Sequence, residues 1–253
     1  MVVANGCTDD TDAVAAAHGA PVQVVTTPVP SKTQALKLGD RHAAGFPRLY
    51  VDADVELTTT GARALARALD DPEVHAVGPA RELSLAGRPR TVRSYYDIWQ
   101  RLPTVRSGLF GRGVVGVDEA GHARIAALPE VMNDDLAASV AFGPAERRVV
   151  PDATVVVHAP RTLEDLVRRR IRAVTGTVQL TGRMAGAAQA RTTRADLLGV
   201  LRADPAAAPH MAVFLAVTAL VRWRARRPVR DRDYTTWLRD DSSRTPVLAE
   251  EDR

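Results

Sequence analysis

Leu49-Tyr50-Val51-Asp52-Ala53-Asp54-Val55-Glu56-Leu57 is the stretch on which the reading of the fold turns. Its first part is an apolar run with strand character, and its second part carries two carboxylates separated by one small residue. In an extended chain the side chains at i and i+2 point the same way, so Asp52 and Asp54 are expected to converge at the carboxyl end of a buried strand. Open α/β sheets bind their ligands at that end. Two hard oxygen donors on one rim suit Mg²⁺ or Mn²⁺, which such sites hold through one or two carboxylates while substrate phosphates supply further ligands. The expectation is a metal–diphosphate site with Asp54 and Asp52 as ligands. The same Asp-Ala-Asp also spells a solvated turn, and the surrounding chain has to separate the two.

Working outward, Val2–Ala4, Val22–Thr26, Arg48–Val51 and Val74–Pro79 read as strands. Between them, an Ala-rich segment after Thr8 and Asp9, the segment from Ser31 to Gly39, and Thr60–Leu69 carry helix caps and helical spacing. Alternating strand and helix predicts an α/β fold with a largely parallel sheet flanked by helices. Lys32 stands in a first helical turn, where a cation opposes the helix dipole; a ligand anion is one reason for it, and an exposed lysine beside a cap is the other reading. Tyr95, Tyr96 and Trp99 concentrate aromatics in a chain with only 4% of them, and packing explains such a cluster more readily than recognition. Arg148–Val157 reads as a long strand broken at Pro151 and ending at His158, a candidate ligand or a surface histidine. Leu163, Leu166, Val167, Ile171 and Val174 form a helical apolar stripe among arginines.

With 253 residues, 45% hydrophobic, the chain can bury a substantial core. The net charge of +4 is modest, and the basic residues gather late, at Arg168–Arg172 and Arg222–Arg232. Without aromatics interleaved among them, nucleic acid is not an expected partner. A lone Cys7 excludes an internal disulfide and multi-cysteine metal sites. The apolar run Met211–Val221 is short of the ~20 residues of a membrane span. With no signal-peptide pattern at the amino end, a cytoplasmic location is expected. Residues 211–232 read either as a helix packed on the domain or as an interfacial helix whose basic edge makes peripheral contact with anionic lipid at the inner membrane face, and packing is the reading preferred.

Gly111-Arg112-Gly113-Val114-Val115-Gly116 spells the GxGxxG fingerprint, but in dinucleotide sites those glycines follow a strand and open a helix. Here the following residues read as a strand, with Asp118-Glu119-Ala120-Gly121 as its turn, so a dinucleotide site is not expected.

The succession Asn5-Gly6-Cys7-Thr8-Asp9-Asp10-Thr11, Ser31-Lys32 through Leu38, Val51-Asp52-Ala53-Asp54 and Asn133-Asp134-Asp135 resembles the motifs of family 2 glycosyltransferases of the GT-A fold, over Met1 to about Leu180. Asn5 and Cys7 depart from the family's Asp-Gly-Ser-x-Asp-x-Thr, and Lys37 stands where asparagine is usual. The resemblance implies inverting, metal-dependent transfer of a sugar from a nucleotide-diphosphate sugar to a sugar or lipid-linked acceptor. It implies Asp135 as the general base and Asp134 beside it on the acceptor side with Gly111 and Gly113. It implies donor contacts at Asn5, Asp9, Lys32 and Asp52, and diphosphate contacts at Arg169 and Arg172, where the family carries Gln-x-x-Arg-Trp and this chain has only arginines.

Family members open with a central strand, an Asn-Glu loop and a helix before the counterpart of Val2–Ala4. Their absence here leads to the expectation that the true start lies upstream, with a non-catalytic remnant binding phosphorylated sugars or a partner as the alternative. A nucleotidyltransferase is the third class, and it lacks its Gly-rich, Arg-containing loop here. The expected organisation is a GT-A-like domain over 1–180, a helical extension over 181–233 and a polar tail over 234–253.

Overall fold

Two short β-branched runs open the first of the two units into which the chain divides, Met1–Phe46 and Pro47–Arg253. The computed structural model describes residues 1–184 and 191–231. In the first unit β1 (Val2–Asn5) pairs in parallel with β2 (Val24–Thr27), Val2 opposite Val24. Between them runs α1 (Thr11–Ala16), and α2 (Lys32–His42) follows. Ser31 caps α2 by accepting the Gln34 N–H at 3.3 Å, which satisfies one of the orphan donors of the first turn. The strand–helix alternation expected here is present, with bounds shifted by a few residues.

The second unit contains β3 (Arg48–Val51), α3 (Thr59–Ala68), β4 (Ala76–Ser84), α4 (Arg90–Arg101), α5 (Pro103–Ser107), β5 (Val114–Val117), α6 (Glu119–Ala126) and α7 (Asp134–Val140). Then come β6 (Arg147–His158), α8 (Leu163–Thr181), α9 (Arg194–Ala203), a 3-10 turn (Pro205–Ala207) and α10 (Ala208–Arg230). Its strands lie in the order β3-β5-β4-β6.

The chain is therefore α/β, but this sheet is mixed where a largely parallel one was expected: β5 is antiparallel to both neighbours, and only β4 and β6 run together. A parallel β5 needs a crossover that returns the chain to the opposite rim. The chain instead re-enters the sheet at the rim where β3 ends, Val114 pairing with Val51. Residues 118–121, expected as a turn, start α6, because Asp118 Oδ1 accepts the Gly121 N–H at 2.7 Å and caps it. The break at Pro151 is real: Pro79 faces Val150 while Ala80 faces Thr154, so Pro151–Ala153 bulge from the ladder where proline has no N–H to give.

Helices α4, α8 and α10 share one apolar core. Tyr95 stacks on Phe214 with ring centroids 5.0 Å apart, and Tyr96 meets Trp99 edge to face at 5.4 Å. The aromatic cluster thus serves packing, as its spacing suggested. On α8, Leu166, Val167 and Ile171 are buried as expected, whereas Leu163 is exposed. Met211, Phe214, Val217, Val221 and Ala225 bring α10 into the same core. The span excluded on the length of Met211–Val221 is longer in the structure: residues 205–230 form one helix long and apolar enough, by length and composition alone, to cross a membrane. Gly186, Arg232, Trp237 and the expected polar tail lie outside the described residues.

Candidate active site

The loop from Gly108 to Gly113 organises the rim of the second sheet. Asp52, the first residue past β3, donates its N–H to the Gly113 carbonyl at 2.8 Å. Gly113 has φ +67°, and a Cβ there would collide with the Val55 side chain, so the approach requires glycine. Gly111 donates its N–H to Asp135 Oδ2 at 2.8 Å, and Leu109 donates to Ser139 Oγ at 3.0 Å. Asp135 and Ser139 are one turn apart on α7, so one face of that helix receives the N–H groups of Leu109 and Gly111 from the loop. The Cα atoms of Gly111 and Gly113 are at most about 7 Å apart on chain geometry. Asp52 and Asp135, distant in sequence, are thus brought to one loop.

Two arginines build that loop. Arg112 is 3% exposed and donates to four carbonyls: Nε to Gly108 at 2.8 Å, Nη1 to Pro79 at 2.9 Å, and Nη2 to Arg106 at 3.0 Å and Val105 at 3.3 Å. Arg81 donates Nη1 to Gly111 at 2.9 Å and Phe110 at 3.1 Å, and Nη2 to Val105 at 3.2 Å, while its guanidinium lies 4.4 Å from the centre of the Trp99 ring. Burial pulls Arg81 down to about 9, with the positive charges of Arg112 and Arg169 adding to it and Tyr96 and Asp135 opposing it. Burial alone pulls Arg112 down to about 10. Both guanidinium groups remain cationic at neutral pH, and both went unnoticed in the sequence. The signals were a charge inside the apolar run of β4 and an arginine between two glycines.

Asp135 also accepts the Leu136 N–H on Oδ1 at 2.7 Å. Asp134 opens α7 beside it, and both are half-buried. Asn133 fixes this helix start: its Nδ2 donates to the Ala173 carbonyl on α8 at 2.9 Å, and a Cβ on Gly176 would lie 2.5 Å from its Oδ1. Arg169 Nη1 reaches the His158 carbonyl at 3.4 Å, and Arg169 acts electrostatically on Arg81, which places it near the loop. Arg172 is half-buried on the same helix, Arg170 lies 5.9 Å from both the Tyr95 and Trp99 ring centres, and His158 is exposed.

The reason given for convergence of Asp52 and Asp54 needs correction. The strand ends at Val51, and the chain turns at Ala53-Asp54, with the Val55 N–H donated to the Asp52 carbonyl at 3.2 Å. Strand alternation therefore does not set their relation. Asp54 is exposed and Asp52 half-buried. No group of three or more His, Cys, Asp or Glu that could hold a metal is present among the described residues. Two carboxylate-bearing residues at a rim still fit the donor set of Mg²⁺ or Mn²⁺ sites in which phosphates and water complete the shell.

In the first unit, Asn5 ends β1 and Lys32 is exposed at the start of α2. Asp9 Oδ1 accepts the Thr11 hydroxyl at 2.5 Å and its N–H at 3.2 Å, and these two bonds hold the carboxyl below the usual carboxylate range. The GxGxxG glycines lead into β5 and open no helix, which agrees with setting a dinucleotide site aside. Compared with known proteins, the chain matches no protein-family model and no curated protein.

Proposed function

We propose that the chain is a GT-A-like, inverting glycosyltransferase that moves a sugar from a nucleotide-diphosphate sugar to an acceptor hydroxyl. The single observation that carries this is the Gly108–Gly113 loop, which ties Asp52 and Asp135 to one rim through Gly113 and Gly111. Inversion needs a carboxylate that takes the acceptor's proton while its oxygen attacks the sugar from the face opposite the leaving diphosphate. Asp135 supplies it. The backbone N–H groups of Gly111 and Leu136 each hold one of its oxygens, which fixes the orientation of the carboxylate.

Arg169 and Arg172 hold diphosphate oxygens through guanidinium forks. Asp54 and Asp52 would hold a divalent Mg²⁺ or Mn²⁺, whose charge would offset that building on the departing diphosphate. Asn5, Asp9 and Lys32 enter as donor contacts through the family resemblance alone.

A phosphorylated-sugar binding protein without turnover is the second reading. Titration calorimetry of the chain with UDP and GDP, with and without Mn²⁺, tests the donor site. Binding that requires the metal and is lost in Asp54→Ala is expected. Binding indifferent to metal and to that substitution overturns the metal–diphosphate assignment. Release of nucleoside diphosphate from nucleotide sugars then separates the transferase from the binding protein.

A further inference from the structure

Helix α10 has an outer face that the core does not use. Its buried positions are Met211, Phe214, Val217, Val221 and Ala225. At the complementary helical spacing, Ala212, Leu215, Ala216, Ala219 and Trp223 are exposed, followed by Arg226, Arg227 and Arg230 with Arg222 beside them. Leu215 keeps 47% and Trp223 63% of its surface open. A helix lying on a soluble core carries polar residues on its outer face; here the outer face is apolar for three turns and then basic.

The charge of this region is one-sided. Between residues 191 and 231 there are eight arginines and three aspartates. Asp204 is engaged by Arg101 at 2.7 Å, Asp196 closes the capping box of α9, and Asp231 lies 3.2 Å from Arg230 and 3.8 Å from Arg227. From the neighbouring α8, Glu164 is taken by Arg224 at 2.8 Å. Among the described residues the exposed arginines of α10 outnumber the carboxylates beside them, and this excess positive charge suits an anionic surface.

We infer that the outer face of α10 docks on an anionic lipid bilayer, with Leu215 and Trp223 entering the leaflet and Arg222, Arg226, Arg227 and Arg230 meeting lipid phosphates. The apolar length from Ala212 to Trp223 is about 16 Å at the helical rise, and because the opposite face is held in the core only its outer side chains reach the bilayer, at the shallow depth of an interfacial helix. Trp223 falls at the junction of apolar and basic segments, the level at which tryptophan sits in membranes. The basic row follows the apolar segment along the helix, so the helix enters at a slant, its arginine end at the headgroups. This surface stands independently of the transferase chemistry.

Co-sedimentation of the full chain with vesicles tests it, comparing pure phosphatidylcholine with one part phosphatidylglycerol in four. Binding to the anionic vesicles alone is expected, weakened by about 0.5 M salt and by about fivefold for each of Arg222, Arg226, Arg227 and Arg230 replaced by Gln. The double variant Leu215→Ser, Trp223→Ser, whose side chains face solvent and leave the core intact, is expected to lose at least about tenfold in partitioning, that of a lost buried aromatic or leucine side chain. Equal binding by this folded double variant overturns insertion. Absence of binding by the wild-type chain overturns the membrane assignment, as does light scattering that shows a dimer dissociated by Leu215→Glu in place of vesicle binding.

Discussion

The backbone N–H of Gly111 holds Asp135 Oδ2 at 2.8 Å, and the carbonyl of the same glycine accepts Arg81 Nη1 at 2.9 Å. The candidate base is therefore oriented by a peptide group that a buried cation orients in turn. Asp135→Asn keeps an oxygen for the Gly111 N–H but sets its amide nitrogen against the Leu136 N–H, so it removes one hydrogen bond together with the ability to take a proton. Nucleotide release from nucleotide sugars is expected to fall by about 10²–10⁴, the usual worth of a general base, while the melting temperature falls only by what one lost hydrogen bond costs. An active Asn variant would assign the base elsewhere.

Gly111→Ala tests the scaffold rather than the proton. The residue has φ +64°, and a Cβ would stand 3.3 Å from Arg81 Nη1. A left-handed conformation costs an alanine about 1–2 kcal/mol. A lowered urea midpoint of that size is expected, together with reduced turnover, since the strain acts on the peptide that holds Asp135.

Arg112 and Arg81 differ in what their loss exposes. Arg112→Met leaves the buried carbonyls of Pro79, Val105 and Gly108, and the part-buried one of Arg106, without this donor, at ~1–3 kcal/mol for each buried group left unsatisfied. A loss of at least about 2 kcal/mol in unfolding free energy is expected. Arg81→Lys keeps the charge but not the planar fork that reaches Gly111, Phe110 and Val105 together. It is expected to lower turnover more than stability, which a comparison of kcat with the thermal midpoint detects.

The elements legible in the sequence were those with local signals. Ser31 as a cap, the helical spacing of Leu166, Val167 and Ile171, and the proline break at Pro151 all depend on residues close in the chain, and each is present. What could not be read depends on contacts between distant segments. The direction of β5 is set by where the loop after α5 re-enters the sheet, not by Val114–Val117 themselves. Arg81 and Arg112 gain their role only when the carbonyls of residues 105–111 surround them. The relation of Asp54 to Asp52 was not legible because strand alternation stops at Val51, where the structure turns.

Gly176 and Asn133 offer a test of the same site from outside it. Gly176→Ala would drive a Cβ to 2.5 Å from Asn133 Oδ1 and displace the start of α7, hence Asp134 and Asp135. Overpacking of this kind costs about 1–3 kcal/mol. Activity is expected to fall with stability, and the additional change Asn133→Ala, which makes room for the methyl group, is expected to recover stability in part. A failure of the second change to restore any stability would separate Gly176 from Asn133.

Acid sensitivity follows from Glu146, whose Oε2 accepts the Gly143 N–H at 2.8 Å and whose Oε1 accepts Arg124 Nη1 at 2.6 Å. The Gly143 N–H and the Arg124 guanidinium hold its carboxyl below the ordinary 4.5. A carboxylate lowered in the folded state binds protons more weakly there than in the unfolded chain, so its stabilisation is complete above the unfolded value and is lost as pH falls through the folded one. Glu146→Gln is therefore expected to lower the urea midpoint at neutral pH, and the gap to the wild type is expected to shrink as pH falls below 4.5 and to close once pH has fallen through the lowered folded value. The Glu146 carbonyl also accepts the N–H groups of His75 and Ala76 at 2.8 and 3.1 Å, bonds that the substitution leaves in place. A gap that persists undiminished in acid would trace the effect to side-chain packing at the entry to β6 instead of to the charge of Glu146.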